Sequence, residues 1–284
     1  MFTLKNDELV VAVLDPQTDL DRCGSRYCVG GYIYQVTDKA KGDLFTGPQY
    51  PAPYPDVFDG QGAPDMFLAN LNGDTAPVGG EVGIIGVGRV RRTSPKTPFS
   101  VRDNPEVIEF LPWRVTPGPN SLLMETKQTF AGWSYHLTRL VTLMGRTVYS
   151  RTEIRNVGQP VLPIRWFAHP FFPLTADRAY CRLSVPFTLT DNPGYAIDAD
   201  NFIVQKPDFN WKAGHFQWLH YEKTGTTLTL VERHPTLGEV TTVTDFMPDV
   251  LPIWSNDRTF SFEPYFVREL ATAESAAWSI EYQF

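Results

Sequence analysis

The feature that most constrains the fold is a run of period-two alternation that crosses a turn without losing its rhythm. Tyr135, Leu137, Arg139, Val141 and Leu143 alternate with His136, Thr138, Leu140, Thr142 and Met144. Gly145-Arg146 reads as a turn, and Thr147-Val148-Tyr149-Ser150-Arg151-Thr152-Glu153-Ile154-Arg155 resumes the pattern until Asn156-Val157-Gly158 ends it. A chain whose side chains change face at every residue is a strand, and two such runs about a two-residue turn make a β-hairpin. The same reading predicts strands over 9–14, 29–36, 121–129, 226–231, 259–266 and 278–284. No segment holds a 3.6-residue period over twelve residues. Only 105–110 offers a helical turn or two, with Asn104 as cap and Pro105 at the first helical position. The 24 prolines and 21 glycines fall mainly between apolar runs, as connections in an antiparallel protein do. The expectation is all-β: a single large antiparallel β-sandwich domain over 1–284, because neither a shift in composition nor an internal repeat marks a second unit.

Several function classes drop out on bulk properties. A chain of 284 residues with 42% hydrophobic content buries a core without staples. A net charge of −7, with Arg89-Val90-Arg91-Arg92 as its one basic cluster, argues against nucleic acid as a partner. The apolar runs are too short for a membrane span, and the segment starting at Met1 lacks the apolar stretch of a signal peptide. Cys23, Cys28 and Cys181 form no disulfide framework, which fits a reduced compartment and predicts a cytoplasmic protein. Cys23 and Cys28 have no His or Cys pair at zinc-ligand spacing, so neither metal nor cofactor is expected. Residues 42–80, rich in Gly, Pro, Asp and Tyr, read as an ordered functional loop because they carry aromatics.

Two segments each place one titratable residue in an aromatic setting. Arg165-Trp166-Phe167-Ala168-His169-Pro170-Phe171-Phe172 holds His169, and Ser261-Phe262-Glu263-Pro264-Tyr265 holds Glu263. An imidazole and a carboxylate make an acid/base pair, and the surrounding rings suit the apolar face of a sugar. The glycine-rich Gly83-Ile84-Ile85-Gly86-Val87-Gly88 leads into no convincing helix, so it is a weak phosphate cradle. Each candidate has a bland counterpart. His169 could be a satisfied core histidine, Glu263 a solvated carboxylate on an alternating strand, and Asp245 a turn cap. Arg91 and Arg92 read as a solvated strand face. Most tryptophans will fill the core, with Trp166 and Trp254, nearest the candidate pair in sequence, preferred for stacking on a ligand.

The order of these motifs resembles the galactose mutarotase-like superfamily, the aldose 1-epimerases and related hexose-6-phosphate 1-epimerases. The resemblance runs from Val29-Gly30-Gly31-Tyr32-Ile33 through Phe58-Asp59-Gly60-Gln61-Gly62, Ile85-Gly86-Val87-Gly88-Arg89, the hairpin, His169-Pro170-Phe171-Phe172 and Asp245 to Ser261-Phe262-Glu263-Pro264. It implies an antiparallel β-supersandwich, a small-molecule carbohydrate as ligand, and interconversion of α and β anomers without a cofactor. His169 and Glu263 then match the family's catalytic pair, with Glu263 as base and His169 as acid. Arg89 and Asp245 match residues that fix hydroxyls or an anionic substituent. The sequence departs from the family at Ile85, which stands where the epimerases' early histidine would be. That departure favours an alternative, a non-catalytic carbohydrate-binding or sensing protein on the same fold.

Overall fold

The computed structural model describes residues 1–284 as twenty-six strands and two short 3-10 turns, with no α-helix. Every strand pairing is antiparallel. The largest sheet has eight strands and is built around the alternating hairpin. Its order is Arg114–Pro117, Ser121–Phe130, Trp133–Met144, Thr147–Asn156, Ser275–Gln283, Gly238–Thr244, Leu228–His234 and Cys181–Leu183. Met144 pairs with Thr147, so Gly145-Arg146 is the whole loop, and Gly145 takes a φ of 56° that a residue with a Cβ adopts reluctantly.

One face of this sheet supplies Leu137, Val141, Ile280, Tyr282 and Leu230 to a core of 48 buried residues. The opposing layer supplies Ile164 and Trp166 from Leu162–Ala168, Phe260 and Phe262 from Thr259–Phe262, and Leu251 and Ile253 from Leu251–Ser255. Two sheets with inward alternate residues meeting in one core make a sandwich. A smaller cluster of 16 buried residues includes Tyr27 and Tyr32 together with Met66, Phe167 and Tyr265 from the three-stranded sheet.

Three local expectations are corrected. Residues 105–110 contain the strand Val107–Phe110, paired with Gly88–Arg91, instead of a helical turn. β-branched and aromatic side chains at Val107, Ile108 and Phe110 suit that pairing better than a helix cap does. The strand expected over 29–36 begins only at Ile33. Gly31 takes a φ of 76°, outside the extended region, so regular pairing begins after it. The strand expected over 259–266 is two strands, Thr259–Phe262 and Tyr265–Leu270, parted by Glu263-Pro264. Pro264 has no N–H to give to a ladder, so the chain breaks beside Glu263.

A buried ion pair ties the layers together beneath this region. Arg139 of the large sheet bonds Asp65 of the strand Asp65–Phe67, with side-chain exposures of 1% and 7%. No helix is long and apolar enough to cross a membrane.

Candidate functional site

Alternation along Leu162–Ala168 decides which aromatics reach the site. Trp166 faces inward, its ring 5.3 Å from that of Trp278 and 6.2 Å from that of Phe246. Phe167 and His169, one residue out of phase, face the other way into a cleft. The His169 amide donates to the Pro64 carbonyl at 2.8 Å, and the Glu263 amide donates to the Pro252 carbonyl at 2.9 Å. These two backbone anchors bring His169 Nε2 to 3.5 Å from Glu263 Oε1. Both residues are about 95% buried. They sit at the floor of a cleft of about 620 Å³ whose walls include Arg26, Phe58, Asp59, Arg102, Lys212, Phe216, Trp254 and Asn256.

The imidazole is enclosed by rings: Phe171 at 4.6 Å, Trp254 at 6.0 Å, Tyr27 at 6.1 Å and Phe167 at 6.2 Å between centroids. Burial removes water from both charged forms, and it dominates both shifts. It pushes His169 well below its ordinary value, helped by the positive charge of Arg26. It pushes Glu263 up to about 7, with Arg26 and the Tyr265 hydroxyl pulling it partly back. Near neutral pH the free site therefore holds a neutral imidazole beside a carboxyl group about half protonated. Below about pH 7 the pair carries one movable proton beyond the imidazole N–H, and that proton leaves as pH rises through about 7. His169 Nδ1 has no hydrogen-bond partner, so Glu263, facing Nε2, is the one side chain paired with the ring nitrogens.

Residues 42–80 contribute to the cleft, but they are not one loop: they contain the short strands Gly42–Asp43, Asp65–Phe67 and Asn70–Leu71. Phe58, Asp59, Met66 and Leu68 line the cleft together with Pro48. Gln49 donates to Asp59 at 2.6 Å. Gly60, with a φ of 75°, lies so close to Tyr27 that a Cβ would come within 2.6 Å of its ring.

Three residues expected at the site lie elsewhere. Trp166 is core, for the reason of alternation given above. Arg89 points out of the strand Gly88–Arg91 and is bracketed by Glu81 and Glu109 on the two adjacent strands, its side chain 40% exposed. Asp245 is exposed at the end of Gly238–Thr244 and accepts from the Ser279 amide and hydroxyl of the neighbouring strand, both at 2.7 Å, so it is a cross-strand clasp, neither a ligand contact nor a turn cap. Arg89→Ala is accordingly expected to leave kcat/KM for any substrate of the cleft within about twofold of the parent, measured by the same assay used for the cleft variants below. Arg91 pairs with Glu106, and Arg92 is buried among backbone carbonyls, including those of Gly73 and Ala76. Ile85 is fully buried in the main core.

Arg26, Arg102 and Lys212 were not legible as site residues. Each is an isolated base on a loop or a single 3-10 turn, where no periodicity assigns a direction. None forms an ion pair within 4.0 Å in the structure, although the cleft also contains Asp59. Arg26 lies between the Tyr27 and Phe58 rings, its guanidinium 4.7 and 4.5 Å from their centroids. A second hollow, of about 560 Å³, lies over Glu125, Lys127 and His136 and is lined by solvated strand faces. It holds no buried titratable pair. No group of three or more His, Cys, Asp and Glu side chains is placed to hold a metal ion.

No protein-family model matches the chain, and no curated protein matches it by sequence. Solved structures match over almost its whole length. A galactose mutarotase related enzyme from Lactobacillus acidophilus superposes with a TM-score of 0.61 at 12% identity, covering 99% of this chain and 96% of its own. A galactose mutarotase-like protein from Lactobacillus casei gives 0.57 at 13% identity, covering 100% and 99%. An aldose epimerase homologue from C. elegans gives 0.56 at 12% identity, covering 99% and 97%. In its architecture, then, this chain carries the galactose mutarotase-like fold.

Proposed function

We propose that the chain binds a small carbohydrate in this cleft and interconverts its α and β anomers. The observation that carries the reading is the buried His169–Glu263 pair at 3.5 Å on the cleft floor, with one mobile proton between two groups that burial shifts in opposite directions. Perturbed acid/base pairs in clefts mark catalytic sites more often than chance. Anomer exchange asks only for proton movement. A base takes the C1 hydroxyl proton while an acid protonates the ring oxygen, the C1–ring oxygen bond breaks, and the open aldehyde rotates. Closure then returns both protons.

Glu263 serves as base and His169 as acid. In the free site the proton rests on Glu263 below about pH 7, so substrate binding must pass it to His169 before chemistry. The short separation makes that transfer local. Trp254 offers a face for the C–H side of the ring. Arg26, Arg102 and Lys212 take the hydroxyl- or anion-fixing part that Arg89 and Asp245 do not reach.

The buried, apolar Ile85 favours a second reading, a carbohydrate binder or sensor without turnover. Anomer exchange over a panel of free and phosphorylated aldoses separates the two, with sugar binding followed in parallel by tryptophan fluorescence. Accelerated exchange supports the epimerase. Saturable quenching by a sugar whose anomers exchange no faster than in buffer supports the binder.

A further inference from the structure

The cleft does not end at its aromatic wall. Phe216 and Trp218 lie two residues apart on the strand His215–Tyr221 and share one face. They are 40% and 42% exposed, and their rings meet edge to face at 4.9 Å. Phe216 lines the cleft and pairs in register with Trp254, which packs on His169. Trp218 is the next position on that face, roughly 6.6 Å further along the strand. It is no loose surface ring. It rests on Tyr265 at 6.2 Å, and Tyr265 stacks on the cleft residue Phe167 at 4.5 Å.

The pair is small, but it is continuous with the aromatic wall of the cleft, which Phe216 lines. The Arg165 guanidinium lies over the Tyr265 ring at 5.4 Å. Gln217, between them in sequence, points to the opposite face of the strand and bonds Thr190 at 2.8 Å, so the two rings share their face with no intervening side chain. Rings to stack on, with a donor nearby, match a saccharide's apolar faces and hydroxyl edges. The area is too small for a protein partner. Two aromatic side chains of about 150–250 Å² each, less than half exposed, present some ~160 Å², against roughly 800 Å² per side in a stable protein interface.

We propose that Phe216 and Trp218 form a second subsite, which holds the next ring of an oligosaccharide whose reducing end lies at the His169–Glu263 floor. This rests on the carbohydrate reading of the cleft and extends it from a single sugar ring to a chain of at least two.

The test compares cellobiose, maltose and lactose with glucose and galactose, by anomer exchange and by titration calorimetry, on the parent and on Trp218→Ala and Trp218→Phe. At least one disaccharide is expected to exceed its reducing-end monosaccharide by about tenfold in kcat/KM. Trp218→Ala should collapse that ratio toward one, and Trp218→Phe should keep most of it. Equal kcat/KM for disaccharide and monosaccharide in the parent overturns the subsite and leaves the epimerase reading standing. So does a Trp218→Ala variant that lowers both alike. Tighter disaccharide binding that depends on Trp218, without exchange of any sugar, upholds the subsite and overturns the epimerase reading. Absence of both binding and exchange overturns the two together.

Discussion

Glu263→Gln is expected to lower kcat for anomer exchange by about 10²–10⁴-fold while sugar affinity changes by about threefold or less. Glutamine keeps the shape of the side chain and a carbonyl that can accept a hydrogen bond, but it neither takes nor gives a proton. His169→Ala should lose a similar factor, and the double variant little more than either single one, because the two groups act as a unit. The pH dependence follows from the site. The working pair holds one proton, and in the free protein that proton leaves as pH rises through about 7, where Glu263 ionises beside an imidazole that burial keeps neutral. kcat/KM should therefore fall above about pH 7 whichever residue holds the proton in the complex, because this limb reports the pair and not either member alone. Stability carries the same sign. A carboxyl whose folded pKa is raised favours the native state fully below its unfolded value, and that contribution is lost as pH climbs to the folded one. Glu263→Gln should thus be less active than the parent and, near pH 8, more stable. Initial rates and thermal melts of both proteins over pH 5–9 check the two trends.

Glu232→Met is expected to stabilise the protein by about 1–3 kcal/mol near pH 8, with a smaller gain near pH 4. Glu232 has no solvent exposure, and neither carboxylate oxygen has a hydrogen-bond partner. Burial drives its pKa well above the ordinary value. The Thr242 hydroxyl offsets part of this, but its own oxygen is likewise unpartnered, so no hydrogen bond of ordinary geometry joins them. The native state accepts Glu232 as a neutral acid. Its contribution is complete below the unfolded pKa of about 4.3 and declines as pH rises toward the folded value. Methionine has a similar volume and no charge to desolvate, so the variant should lack this decline. Denaturant unfolding at pH 4 and pH 8 measures the difference. An equal loss of stability at both values would mean that Glu232 makes a stabilising hydrogen bond in the native protein, and would overturn this account.

The strands were legible because alternation is a local property. The two strands on either side of Gly145-Arg146 could be placed almost to the residue, since a slip of one would have turned Leu137, Val141 and Leu143 to water. The catalytic candidates were legible as single residues in unusual company, and the fold brings His169, Glu263 and Trp254 to one floor. Direction was harder to read. Trp166 and Phe167 are equally aromatic neighbours, and only the register of Leu162–Ala168 against Tyr265–Leu270 sends one to the core and the other to the cleft. Arg89 sits on a strand whose neighbours each offer it a carboxylate, a pairing between Glu81 and Glu109 that comes from sheet topology and is invisible in sequence. The basic rim of Arg26, Arg102 and Lys212 comes from three distant loops, so no stretch of sequence announces it.

Saturation transfer between the α and β anomers of aldoses, followed by NMR with catalytic amounts of the protein from pH 5 to pH 9, tests the role of the His169–Glu263 pair most directly. Exchange above the buffer rate, falling as pH rises through about 7 and lost in Glu263→Gln, is the predicted result. An aldose that saturates the cleft yet exchanges no faster than in buffer at any pH would contradict it.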